Sequence, residues 1–421
     1  MTSLSSFVAQ PDVRQPVNPT KVLAAATTGN VVCVTAAVSA TFGTFLVPVS
    51  EDFGWPRAAV SGVLGLMAVI SAFSYPLIGR AMDKWGARNL LIGGHVALAC
   101  LIMSLSLASP NMGLFYLQFA AVGLAGAVCS SPMFSKVISN WFDENRGLMM
   151  GISAGAGNGI GATLMPILAG ILLPVLGWRA TYLAIGAVVL AIGFPVLLAW
   201  LRDAPPTETS TPADLQGMTL AEAMRTPRFW ILLVAVASGA GGMTAVFTHV
   251  VPMMTDRGFG IGEATGVVAV FALVTAGWQI VTGGLLDKVS SPVLVVPMYL
   301  AAIVGLFQLQ FGHSTAAVMS AGVLLGIGMG AEYGALGYLT SRYFGLAHYG
   351  AIIGTLYGAV ILAQGLTPAL MDLSFDATGD YNQATIAIAV ILAAGALLLF
   401  FLPSARIDQV MESEPPMASL G

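Results

Sequence analysis

Gly79-Arg80-Ala81-Met82-Asp83-Lys84-Trp85-Gly86-Ala87-Arg88 is a short charged island between two long apolar runs. It holds three cations, one carboxylate and two glycines. A connection this tight joins two membrane-spanning helices on the side where positive charge gathers. The island returns as Gly283-Gly284-Leu285-Leu286-Asp287-Lys288, and Asp287 lies 204 residues after Asp83 in a chain of 421. The spacing reads as one six-helix unit written twice.

Composition supports that reading. The chain is 57% hydrophobic and 9% charged, with mean hydropathy +0.86. A soluble domain carries about 25% charged residues, so lipid must supply much of the solvent here. The net charge of −4 and the lack of a basic stripe argue against nucleic acid. A span needs about 20 mostly apolar residues. Such runs lie near 22–47, 57–79, 89–108, 113–138, 147–174 and 180–201, then 228–252, 264–284, 293–312, 315–341, 350–372 and 382–403. The predicted fold is all-α and integral to the membrane, with twelve transmembrane helices in two six-helix pseudo-repeats. The expected divisions are a disordered tail (1–21), a first bundle (22–201), a polar linker (202–227), a second bundle (228–403) and a tail (404–421). With both termini cytoplasmic, Arg57, Arg179 and Arg257 are the only three of the sixteen Lys and Arg residues left outside. The bias sets the orientation expected for a multi-pass protein of a cell inner membrane.

The repeat extends past the islands. Val47-Pro48, Asp52 and Gly54 recur as Val251-Pro252, Asp256 and Gly258; Gly62 recurs as Gly266. Trp141-Phe142 before Gly147 is matched by Tyr343-Phe344 before Gly350. Parallel halves of this kind place a binding site between them, near the midplane.

The stretch from Gly79 to Arg88 resembles the loop signature of the major facilitator superfamily. Glu51-Asp52-Phe53-Gly54-Trp55-Pro56-Arg57, Trp141-Phe142-Asp143-Glu144-Asn145-Arg146-Gly147, Arg342-Tyr343-Phe344-Gly345 and Phe375-Asp376-Ala377-Thr378-Gly379-Asp380-Tyr381 resemble its monocarboxylate transporter and oxalate/formate antiporter branch. The likeness covers about Lys21 to Pro403. It implies a secondary transporter whose island, through Gly79, Asp83, Gly86 and Arg88, latches the halves on the cytoplasmic side. By the residues alone, Asp83 can cap helix amides or pair with Arg80 or Arg88. Asp287-Lys288 lacks the second glycine and arginine, and a weaker role is expected for it.

Glycines at four-residue spacing, Gly151, Gly155 and Gly159 and again Gly350, Gly354 and Gly358, line one helix face and permit close helix contact. Glu332 is the carboxylate deep inside a span, where an ionised acid costs roughly 2.5–3.5 kcal/mol. Protonated when shut away and free to release its proton when opened to water, it is a candidate for proton coupling. His249, near the outer end of its span, is a second. Asn30, Thr35, Ser131, Trp278, Gln279, Tyr333, Tyr357 and Gln364 are the polar or aromatic candidates for substrate contact; each could equally hold helix to helix.

One departure bears on the substrate. The carboxylate branch carries an arginine eight residues before the second loop aspartate, where Gln279 stands here, and the oxalate/formate type adds a lysine after Leu-Tyr, absent after Leu356-Tyr357. A dianion lacks a charge partner. A monocarboxylate entering with a proton is the expected cargo; a neutral, vitamin-like heterocycle is the alternative. No cofactor or metal is expected, because His95, His249, His313 and His348 lie on separate segments without ligand spacing. An enzyme would need such a cluster, and a channel would need charged rings from symmetric subunits. The two halves complete one site, so the expected functional unit is a monomer in the bilayer.

Overall fold

The computed structural model describes residues 18–204 and 217–404. The expected disordered tail up to residue 17, the Pro205–Pro212 stretch and the end of the chain from residue 405 lie outside them. Eleven continuous helical runs are long and apolar enough to cross a membrane. One of them, Arg146–Trp200, is 55 residues long and is broken at Gly177, whose φ of 72° no helix accommodates. Among the described residues this gives twelve spans. In the first half these are α1 (Pro19–Phe53), α2 (Arg57–Trp85), α3 (Arg88–Leu107), α4 (Met112–Trp141), α5 (146–176) and α6 (178–200). The second half holds α7 (Pro227–Thr255), α8 (Ile261–Val289), α9 (Pro292–Phe311), α10 (Thr315–Phe344), α11 (Tyr349–Thr378) and α12 (Asn382–Leu399). The chain is a multi-pass membrane protein.

Helix is forced on these segments, because a backbone crossing lipid must satisfy its own N–H and C=O groups. Most helices outrun their apolar windows: α8 covers Ile261–Val289 where 264–284 was expected. Hydropathy detects the oily middle, whereas polar end turns remain helical at the headgroups. Three spans are interrupted, α5 by a five-residue π-helical turn at Ile152–Ala156. A five-residue π-helical turn, Thr35–Ser39, lies within α1, and α4 is broken at Ser130, extended at φ −121°, ahead of Pro132. Proline brings no N–H to the ladder, which favours that break.

The residues on either side of the linker pack against the ends of α4 and α10 on one face, the linker face. The Met218 N–H donates to the Phe344 carbonyl (2.9 Å), and the Trp141 indole donates to the Arg202 carbonyl (2.7 Å). A short helix, Leu220–Met224, starts with a reciprocal cap between Thr219 and Glu222. The Thr219 N–H, and then its hydroxyl, hold the Glu222 carboxyl below the usual carboxylate range.

Three apolar cores arrange the halves. One is built only from first-half residues, Val32 to Val189, and another only from second-half residues, Met243 to Leu392. The third draws on both halves, from Val22 and Phe134 to Phe344 and Ile353. The halves therefore share a core toward the linker face and keep separate cores toward the far face.

Candidate functional site

Two helix crossings close the seam at the linker face. In the first, α2 meets the start of α11. A Cβ on Gly79 would fall 1.8 Å from the Gly350 carbonyl oxygen, and one on Gly350 would fall 2.4 Å from that of Gly79. Only glycine fits on either side of a backbone contact this close. Asp83 then accepts the Gly350 N–H on Oδ1 (2.9 Å) and the Ala351 N–H on Oδ2 (2.8 Å). These are amides of the first turn of α11, which have no partner within the helix and carry its positive dipole end. The Lys136 ammonium of α4 donates to the same Oδ1, and both side chains are less than 10% exposed.

The second crossing mirrors the first with the halves exchanged. Here α8 meets the start of α5, and Cβ atoms on Gly283 and Gly147 would fall 2.1 and 2.3 Å from the opposing carbonyl oxygens. Asp287 accepts the Gly147 and Leu148 N–H groups at 2.8 Å each. The weaker role expected of this island is not reflected in its cap, which matches that of Asp83. The residues missing from it never reach the other half. In the first island Gly86 (φ 83°) makes room for Asp203, and Arg88 donates to the Leu201 and Leu198 carbonyls at the end of α6. Asp203 accepts the Ala87 and Arg88 N–H groups at 2.9 and 3.1 Å. Gly86 and Arg88 thus fasten the α2–α3 turn within the first half. This corrects their expected place in a latch between halves. Arg146 adds another tie: it donates to Asp143 (2.9 Å) and, across the seam, to the Ser341 hydroxyl (3.3 Å). Lys136 and Asp203 escaped the sequence reading. A lysine set inside an apolar run, Phe134-Ser135-Lys136-Val137-Ile138, was the available signal for the first.

The candidate contact residues divide by exposure. Asn30 is fully buried within the first half. Its amide donates to the Ser153 carbonyl (3.0 Å) and accepts the Ser131 hydroxyl (2.8 Å), joining α1 to α5 and α4. Asn158, not singled out from the sequence although it is the one amide in the glycine run of α5, donates to Ser131 at 2.8 Å. Thr35, in the π-helical turn, is exposed, and Ser131 is half-buried. In the second half Trp278, Tyr333 and Gln364 are half-buried; the Gln364 amide donates to the Tyr333 hydroxyl, and the Trp278 indole N–H has no partner among the described residues. Gln279 is 7% exposed and lies in the α5–α8 crossing, its Oε1 3.3 Å from where a Cβ on Gly155 would sit. Tyr357 is buried in the shared core.

Glu332 is 1% exposed and lies inside the second bundle, neither carboxyl oxygen holding a hydrogen-bond partner among the described residues. A Cβ on Gly239 of α7 would fall 2.7 Å from its Oε2 and 2.5 Å from the Tyr299 hydroxyl of α9. Burying an unpaired charge in such surroundings costs several kcal/mol. His249 is buried near the far end of α7, with its Nε2 2.8 Å from Oδ1 of Asp372 on α11.

Comparison with known proteins agrees with this architecture. The sequence model of the Major Facilitator Superfamily matches residues 29–368. The chain is 26% identical to monocarboxylate transporter 11 of Homo sapiens over 382 residues, covering 85% of this chain and 77% of that one. It is 27% identical to the oxalate:formate antiporter of Oxalobacter formigenes over 352 residues, covering 80% and 82%. Among solved structures, it superposes on the human organic anion transporter MFSD10 with a TM-score of 0.70 at 16% identity, covering 91% of this chain and all of that one. The E. coli fucose:proton symporter gives 0.67 at 15% identity, covering 90% and 98%.

Proposed function

The chain belongs to the Major Facilitator Superfamily, and from that premise we propose that it imports a small organic monocarboxylate together with a proton. It is a transporter related to monocarboxylate transporters and to the oxalate:formate antiporter, not an enzyme. The observation that carries the mechanism is the division of the cores: one shared toward the linker face, two separate toward the far face. Such halves rock about a seam and expose a site between them to each side in turn. The lysine and arginine bias supports placing the linker face on the cytoplasmic side, in a cell inner membrane in this reading. In this reading Asp83, Asp287 and their glycines latch the cytoplasmic side while the far side receives substrate. Thr35, Ser131, Trp278, Tyr333 and Gln364 supply donors, with no guanidinium among them. Asn30, Gln279 and Tyr357 shape the walls from behind. Glu332 and His249 are the titratable groups we assign to proton movement, and one chain suffices as the working unit.

Gln279 supports a second reading, in which the same site takes a neutral heterocycle. Uptake by purified protein in vesicles loaded with a pH-sensitive dye separates the two. Labelled monocarboxylates should accumulate and acidify the lumen as they enter. Uptake of a neutral heterocycle without a pH change, and none of any monocarboxylate, would replace the first reading with the second.

A further inference from the structure

The hydrogen-bond geometry at the far end of α7 requires a proton that its two ionisable partners do not bring as neutral imidazole and ionised carboxylate. His249 Nδ1 is 2.7 Å from the Ala245 carbonyl oxygen, one turn back. A carbonyl oxygen only accepts, so Nδ1 carries a hydrogen. The Thr248 hydroxyl is 3.1 Å from the same nitrogen, and the Thr244 and Ala245 carbonyls, at 3.0 Å each, can take its single hydrogen. Nε2 then faces Asp372 Oδ1 at 2.8 Å. That contact needs its own hydrogen, either on the ring as imidazolium or on the carboxyl as acid. Without it two lone pairs would oppose each other. The pair holds one proton in either form.

The surroundings suit a proton drawn from water. The Asp372 side chain is 64% exposed and that of His249 is 8% exposed, so the carboxylate meets solvent and the ring does not. No lysine or arginine pairs with either among the described residues. Arg257, a few residues on, gives its guanidinium to the Leu309 and Gly312 carbonyls. The other ionisable groups nearby are Tyr381, whose ring stands edge-on to the imidazole at 5.7 Å, and the carboxylates Asp256 of α7 and Asp376 of α11 around it. Glu263 of α8 is occupied by Thr315, α9 offers only Tyr299, α12 carries no charged residue, and Glu332 of α10 is sealed deeper in the bundle. The repeat does not demand this pair. At the equivalent place in the first half Phe45 stacks on Tyr182 with ring centroids 3.8 Å apart.

We infer that His249 and Asp372 form a single proton-binding site at the far mouth of the second half, and that its proton ties α7 to α11. The proton comes from water on that side, adds to the neutral ring and ionised carboxylate, and leaves to water when the tie breaks. What the proton does next rests on the transporter reading above; the site itself does not. The test is therefore substrate-free: nitrogen NMR of ring-labelled histidine in the full-length protein in nanodiscs, with His249 assigned by loss of its signal in His249→Gln, and carbon NMR of the Asp372 carboxyl. At neutral pH the wild type should show both His249 nitrogens protonated, or a protonated Asp372. In Asp372→Asn, a conservative change at an exposed position, the ring should carry its hydrogen on Nδ1 alone and the carboxyl signal should vanish. A wild-type His249 protonated only on Nδ1 beside an ionised Asp372 overturns the inference. So does a ring that keeps both protons unchanged in Asp372→Asn.

Discussion

Asp83 and Asp287 cap opposing helices at two crossings of the same seam, with nearly equal distances, yet their surroundings differ. Asp83 answers to two amides and a buried lysine; among the described residues Asp287 answers to two amides alone. Lys136 comes from α4, in the same half as Asp83, so it adds no link across the seam. Its effect is to make removal of the aspartate charge costly, because a buried ammonium would be left without a partner. At the second crossing, loss of the charge leaves only amides, which water can reach once the helices separate. The repeat thus preserves the shape of a contact while assigning its strength unequally.

The largest effect is expected from Asp83→Asn. Removing one member of a buried ion pair costs about 3–5 kcal/mol, and that cost falls on the state closed at the linker face. Spin-label distances between the linker-face ends of α2 and α11 should shift to a long-distance population; an unchanged distribution would deny the cap any hold on the seam. Asp287→Asn should act in the same direction but less, by about 1.5–3 kcal/mol, the worth of hydrogen bonds to a charged group. A loss equal to or larger than that of Asp83→Asn would remove Lys136 from the comparison. The double change Asp83→Asn with Lys136→Met should recover the part of the first loss that exceeds that of Asp287→Asn, since no buried ammonium is then left without a partner while the two amides still lose a charged acceptor. Measured as a double-mutant cycle, additive losses would show that the lysine and aspartate do not sense each other. The smallest effect on the seam belongs to Arg88→Ala. It should lower thermal stability by about 1 kcal/mol through lost hydrogen bonds to α6, while the α2–α11 distances stay as they are.

Much of the fold was legible because lipid makes it so. Twelve apolar runs, the spacing of Asp83 and Asp287, and paired glycines are properties that hydropathy and repetition display directly. Gly79 stood out through the loop resemblance and Gly350 through the four-residue glycine spacing, but that the two meet was not legible. What did not show was partner choice among polar residues near span ends. Arg88 was read as part of the latch and Lys136 was passed over, yet the first grips carbonyls of its own half and the second sits under Asp83. Only the lateral arrangement of helices decides between them. Asp372 was missed for the same reason: it lies at the edge of an apolar run, and its significance depends on α7 bringing His249 beside it. Asn30 and Gln279 looked like cavity residues by depth, which places a side chain along the membrane normal but not around the helix.

The corner at Gly177 has a consequence of its own. With a single residue between α5 and α6, there is no slack at the far face to absorb movement of either helix. At about 1.5 Å per residue, the 31 residues of α5 make a lever roughly 45 Å long, with Gly147 against Gly283 as its fulcrum. A tilt of about five degrees at that fulcrum carries the far tip through roughly 4 Å for a rod of this length, and α6 must travel with it.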